Sequence, residues 1–333
     1  MMKLINYIIT IFLLGLMTSC SNDDVPIVDT RICHVNVTVD LSGFFSCYDF
    51  TDTKHSVENA VNKNELGANK RFNSLNPAER YNSFKAYNSS FNPITIETRV
   101  LFYNNDNGQL VDSILVYTDN VDAVNHTIEL EAGRYTAIAT LTFRNSTSSY
   151  WTLKGKENLN TAVLQLDYNM ALWSIMSYVS HEVVVGQSKE IELRIKPIPI
   201  GSLCYAYFQN FQCSDEIKGL MIKTEKYANG FKLNPKETNK FIYSQQSNPL
   251  LNLKPDYFSQ RPSWNTFQSD VFDYYYILAP QCNISFGYQS DNVWRYVDLP
   301  SYDIENGKTY LAYWDYNHIE NPYFGVADNN HWY

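Results

Sequence analysis

The chain has 333 residues, 44% of them hydrophobic, enough to bury a sizeable core and to make two domains the first expectation. Its formal net charge is −9, from 26 Lys and Arg against 35 Asp and Glu, so it lacks the basic face that nucleic-acid binding needs. Tyr is unusually common at 26 residues. An exported all-β protein accounts for that, because Tyr favours strands and carries an amphipathic ring; a sugar-stacking surface is the sharper alternative.

Lys3 gives the chain a basic start, and an apolar run follows at residues 4–17. A membrane-crossing helix needs roughly 20 apolar residues, so this run reads as the core of an export signal. Leu16-Met17-Thr18-Ser19-Cys20 resembles a bacterial lipoprotein signal with its lipobox, in which the cysteine is acylated and becomes the first mature residue. Residues 1–19 are then the signal peptide, residues 20–30 an acidic tether, and lipid on Cys20 holds the protein to the outer membrane. Each buried CH₂ contributes roughly 0.8 kcal/mol, and more than one chain makes such an anchor stable. Ser21-Asn22-Asp23-Asp24 resembles a surface-export signal and equally reads as a solvated tether.

With Cys20 acylated, Cys33, Cys47, Cys204, Cys213 and Cys282 form an odd set, so at least one thiol stays unpaired within the chain. Export permits Cys33–Cys47 and one pair among the other three, and nothing in the sequence chooses between pairings. No CxxC occurs and no His stands at zinc-site spacing from these cysteines, so no metal or other cofactor is expected.

Residues 33–41 alternate apolar and polar, the period of a strand with one wet face. The pattern lapses over residues 42–93, a long polar insertion in which Asn76-Pro77 offers one short helix start. It resumes with strands at 96–103 and 109–117 around Asn104-Asn105-Asp106-Asn107-Gly108, where Asn-Gly is a strong hairpin signal. Further strands are expected at 126–130 and after the turn at Gly133. Residues 158–176 are the best helix candidate, with Leu164, Leu166, Ala171, Leu172 and Ile175 apolar. Strands return at 183–185 and 190–195. Pro197 and Pro199 then remove ladder donors, which places a junction there. The expected organisation is an N-terminal β-sandwich domain at 31–196, a C-terminal one at 197–318 and a tail at 319–333. In the second half, strands are expected at 203–211, 219–224, 274–279 and 283–288. Residues 304–312 echo residues 130–139, each with Gly, a basic residue and Tyr leading a strand, which suggests two related sandwiches.

At this point the chain resembles the FimB-type family of fimbrial anchor subunits. Three passages carry the likeness: the lipobox ending at Cys20, the hairpin at residues 99–111 followed by Leu130-Glu131-Ala132-Gly133-Arg134-Tyr135, and the junction Ile191-Glu192-Leu193-Arg194-Ile195. The resemblance implies an all-β fold with minor α content: two tandem transthyretin-like β-sandwich domains on a surface lipoprotein. It also implies fimbrial subunits as partners, taken up by strand addition, and no catalytic residues. The insertion at 42–93 has no counterpart in it.

His34, His55, His126, His181, His318 and His331 form no HExxH or other close metal pair, and neither G-x-S-x-G nor a P-loop occurs. Asn104–Gly108 has half of a calcium loop but lacks its terminal Glu. The aromatic groups Trp294-Arg295-Tyr296 and Tyr313-Trp314-Asp315-Tyr316 support a second reading. Trp294, Tyr296, Trp314 and Tyr316 are candidate glycan-stacking residues of a polysaccharide-uptake lipoprotein; strand alternation, with one ring in the core and the next at the rim, is the competing account.

Overall fold

A computed structural model describes residues 31–42, 44, 95–119, 123–144, 149–167, 174–186, 188–209, 219–224, 228–244, 249–253 and 271–326. Cys20, the tether and nearly all of the insertion at 42–93 lie outside the described residues. What is described is almost entirely strand and turn.

The first half contains β1 (Ile32–Val39), β2 (Thr95–Asn104), β3 (Leu110–Thr118), β4 (Val124–Glu131), β5 (Gly133–Arg144), β6 (Trp151–Lys154), β7 (Val163–Leu166), β8 (Met176–Val185), β9 (Glu190–Ile195) and β10 (Ile198–Ile200). β1 buries Cys33, Val35, Val37 and Val39 and turns the residues between them outward, as its alternation predicts. Its polar face is cross-linked along the sheet. Asn36 Nδ2 donates to Glu192 Oε1 at 2.8 Å, and Thr127 Oγ1 donates to Asn36 Oδ1 at 2.8 Å. The β2–β3 turn is a hairpin turn. Asn104 Oδ1 accepts from the Asp106 amide at 2.8 Å, and Gly108 takes φ +72°, a left-handed conformation that favours glycine.

β4-β1-β9 form one sheet and β10-β8-β5-β2-β3 a second, and their inner faces share one apolar cluster. The second half contains β11 (Ser202–Gln209), β12 (Gly219–Thr224), β13 (Ala228–Lys232), β14 (Phe241–Tyr243), β15 (Pro249–Leu253), β16 (Val271–Ile277), β17 (Gln281–Ser290), β18 (Val293–Asp303), β19 (Thr309–Asp315) and β20 (Tyr323–Val326). Here β16-β11-β19-β20 and β15-β12-β17-β18 enclose a core around Phe208, Ile222, Ile284, Phe286 and Trp314.

The two halves repeat one topology. In the first, β1 pairs parallel with β9 and antiparallel with β4; in the second, β11 pairs parallel with β19 and antiparallel with β16. The facing sheets run β3-β2-β5-β8 and β15-β12-β17-β18. The expectation of related sandwiches is therefore met, although the motif that suggested it stands at non-equivalent places. Tyr135 lies on β5, the counterpart of β17, whereas Tyr310 lies on β19, the counterpart of β9. Both tyrosines still do the same job. Tyr135 Oη donates to Glu131 O at 2.9 Å, and Tyr310 Oη donates to Asp303 O at 3.2 Å while accepting from the Glu305 amide. Each hydroxyl ties its strand to the turn before it.

The helix expected over 158–176 is absent among the described residues. Residues 155–161 form a turn, β7 follows, and β8 begins at Met176. The apolar residues that looked helical serve a strand: Leu164 and Leu166 are buried two apart on one face of β7. β7 pairs with β13 of the second half, and β14-β13-β7-β6 make a small sheet from two hairpins. This sheet meets the five-stranded sheet on the face away from β1. Tyr178 of β8 makes an edge contact with Phe231 of β13 at 5.1 Å and donates to Leu233 O at 2.7 Å. Trp151 Nε1 donates to Ser174 O at 3.0 Å. With both faces of its sheet covered, β5 is buried without interruption from Tyr135 to Phe143. The short strand β10, beyond Pro197 and with Pro199 at its centre, pairs with β8 in the five-stranded sheet. Residues 323–326, expected in a tail, form β20 against β19.

Two substitutions probe this joint. Phe231→Ala, at a 2% exposed position, should cost about 3–5 kcal/mol in urea unfolding. Gly201 has φ +82°, and a Cβ there would lie 2.6 Å from Ile277 O. Gly201→Ala should therefore destabilise by at least about 1 kcal/mol in the same measurement.

Candidate functional site

A sheet edge offers a row of backbone groups that a further strand can pair with, and folded proteins guard such edges with charge, Pro, bulges or short length. Several edges here are guarded in this way. β4 carries His126, Glu129 and Glu131; β9 carries Glu190, Glu192 and Arg194; β10 is three residues long with Pro199 at its centre. β18 carries Asp298, Pro300 and Asp303, and its ladder with β17 slips between Asn283 and Ser285.

β3 differs. It is the rim of the five-stranded sheet, and Ser113-Ile114-Leu115-Val116-Tyr117 contains neither charge nor Pro. Its inner row, with Ile114 buried and Val116 packed on the core, fixes the strand. Its outer row leaves Val111, Leu115 and Tyr117 each nearly half exposed. Across β2, Leu115 stands opposite Arg99 and Tyr117 opposite Glu97. Arg99 Nε donates to Glu97 Oε1 at 2.6 Å, so that pair is internally satisfied, and the Arg144 guanidinium lies 4.5 Å from the Tyr117 ring centre. One end of the edge is closed. The Leu110 amide donates to Glu157 O at 3.0 Å and the Leu159 amide to Gly108 O at 2.8 Å, so the turn at 155–161 covers the start of β3. The ladder with β2 also slips there, opposite Phe102 and Tyr103.

The four aromatic candidates do not form one surface. Trp314 is fully buried beneath Phe286 and Tyr288 and donates through Nε1 to Ile319 O at 2.8 Å. Tyr316 lies on a 3₁₀ turn at Tyr316–His318. Trp294 and Tyr296 come together on the outer face of β18, their rings within 18° of parallel and their centres 6.3 Å apart. Both rings lean over Gly287, where a Cβ would meet Tyr296 at 2.7 Å, and Lys223 Nζ stands 3.6 Å from the Tyr296 ring centre. Tyr296 is thus already engaged by glycine backbone and by a cation, which leaves little free ring face for a sugar.

Cys33, Cys204 and Cys282 are buried, Cys282 as a free thiol, while Cys47 and Cys213 lie outside the described residues. Among the described residues, no group of three His, Cys, Asp or Glu is placed to hold a metal ion, and no helix is long and apolar enough to cross a membrane. His34 is exposed and lies 3.6 Å from Glu129. Periodicity found β3 as a strand, but nothing local marks it as a rim, because rim position depends on which strand fails to arrive beside it.

No family model matches the chain, and no curated protein matches it in sequence. Solved structures similar to it include a candidate polysaccharide-binding protein from Bacteroides thetaiotaomicron, at 10% identity and TM-score 0.48 over 89% of this chain and 99% of that one. The fimbrial anchor protein Mfa2 from Porphyromonas gingivalis gives 11% identity and TM-score 0.47, over 89% and 96%. A candidate adhesin from Bacteroides ovatus gives 11% and 0.46, over 84% and 86%. Values at this level transfer no residue role to this chain.

Burial pushes the Cys282 thiol up to about 12, so thiolate is scarce at neutral pH. A thiol reagent at about pH 8 should label Cys282 at least about 100-fold more slowly in the native protein than in urea, read by mass spectrometry of the labelled peptides.

Proposed function

We propose that this protein is a lipid-anchored surface protein, a fimbrial anchor or accessory subunit that binds a pilin by β-strand addition. The observation that carries the reading is the unguarded β3 edge, where Ser113–Tyr117 offers a neutral apolar rim on a rigid sheet. An added strand would gain backbone hydrogen bonds at about 1 kcal/mol each and would cover Val111, Leu115 and Tyr117. The resemblance carried by the lipobox, by the hairpin at 99–111 and by the 191–195 junction supports the same reading. Acylation of Cys20 would hold this end of a polymer at the outer membrane. The role is binding, not catalysis.

Placing charge on the edge tests the acceptor. Leu115→Glu, opposite Arg99 across β2, should leave the melting temperature nearly unchanged, since Leu115 is about half exposed. The same variant should lower the pilin that co-purifies with the tagged, detergent-solubilised protein at least about tenfold. Full retention of pilin would remove β3 as the acceptor, and absence of pilin from the unsubstituted protein would remove the fimbrial reading. Cys20→Ala should release the protein from the membrane fraction; continued retention would contradict the lipid anchor.

A further inference from the structure

We infer that β1 is the strand through which this protein carries mechanical tension, held so that a pull on the chain ahead of it loads two ladders at once along their length. The topology carries this. β1 is the middle strand of β4-β1-β9, not an edge. It pairs antiparallel with β4 from Ile32 to Val39 and parallel with β9 from His34 to Val39, and neither register slips. A middle strand drawn along its own axis must shear both ladders together, whereas a ladder pulled sideways from one end opens one pair at a time. The force at which such a unit yields reports its unfolding rate rather than its equilibrium stability.

The two ends of the strand fix the direction of pull. The Ile32 end lies with the β2–β3 turn: Ile32 stands opposite Glu131, Tyr135 Oη donates to Glu131 O at 2.9 Å, and Tyr135 stands opposite Asn104. The Val39 end lies with the far end of β3. Phe44, just beyond β1, packs on Phe143 with ring centres 4.9 Å apart, Phe143 stands opposite Ile96, and Ile96 opposite Thr118. The chain therefore enters β1 at one end of the sandwich, and the neutral stretch Ser113–Tyr117 of β3 lies toward the other. Tension between them runs along β1. The wet face of β1 is reinforced across both ladders: Asn36 Nδ2 donates to Glu192 Oε1 of β9 and Asn36 Oδ1 accepts from Thr127 Oγ1 of β4, so one side chain ties three strands. Thr38 Oγ1 donates to Asn125 Oδ1 at 2.9 Å. The dry face holds Cys33, Val35, Val37 and Val39 in the core, so sliding also breaks packing. At the entry, the Arg31 guanidinium donates to Gly186 O at 3.0 Å and the His34 amide to Lys189 O at 2.9 Å. What the tension serves, a membrane at one end and a pilin at the other, rests on the proposed function; the direction-dependent strength itself does not.

Single-molecule pulling on the full chain tests this. One handle sits at the N-terminus and the other on an azide-bearing residue in place of Leu115, which loads β1 lengthwise. In the comparison the second handle replaces Glu129, opposite His34 on β4, and the pull opens the β1–β4 ladder from its first rows. At one loading rate the Leu115 geometry should need at least about twofold more force. Asn36→Ala should lower the force in the Leu115 geometry and leave it unchanged in the Glu129 geometry, because Asn36 and Thr127 lie beyond the first rows to open. Equal forces in the two geometries would overturn the inference. So would an Asn36→Ala variant that yields at the original force in the Leu115 geometry, since another part of the fold would then give way first. Membrane retention of the Cys20→Ala variant would remove the anchor reading and leave the difference between the geometries standing.

Discussion

The five-stranded sheet with both faces covered is what the rest of the structure depends on. β5 runs buried from Tyr135 to Phe143, with Ile138, Ala139 and Leu141 fully excluded from water. A strand like this cannot leave either face wet without exposing apolar surface. One face is covered by β4-β1-β9. The other needs a second cover, and two hairpins supply it, β6–β7 from the first half and β13–β14 from the second. Covering that face therefore joins the halves. One apolar cluster runs from Val35 and Ile96 through Phe231 to Leu203, Tyr276 and Leu311.

That arrangement decides which edges are left. Sandwiches of this topology have open rims, and the molecule treats them unequally. Charged residues guard β4 and β9, Pro199 shortens β10, and Asp298 with Pro300 guard the far part of β18. β3 stays bare of charge and Pro from Ser113 to Tyr117. On β3 the bare stretch is bounded at one end by the hydrogen bond from Leu110 to Glu157, which limits how far a paired strand could extend.

The aromatic residues show why composition misleads about surfaces. Trp294 and Trp314 sit in similar local patterns, each flanked by Tyr and one charged residue. Trp314 became the centre of a core, with Phe208, Phe286 and Tyr288 around it, and Trp294 became part of a rim. The difference lies in the face each occupies: Trp314 points between the two sheets, whereas Trp294 lies on the row of β18 opposite to the one that packs on the core.

Periodicity and turn chemistry in the sequence were sufficient for the all-β class and for β1, β12, the β2–β3 hairpin and β9 as strands, since alternation and turn residues are local signals; the repeat of sandwiches was suggested by a motif that stands on non-equivalent strands. The same reading took residues 158–176 for a helix, because Leu164, Leu166 and Ile175 are spaced ambiguously and their true partner, β13, stands more than sixty residues away. Only the tertiary structure decided that β7 crosses to the second half, that Trp314 is interior, and that β3 lies at the rim of its sheet. Each of these turns on which strand lies beside which, and strand order is settled by long-range burial and backbone pairing that no local window of sequence contains.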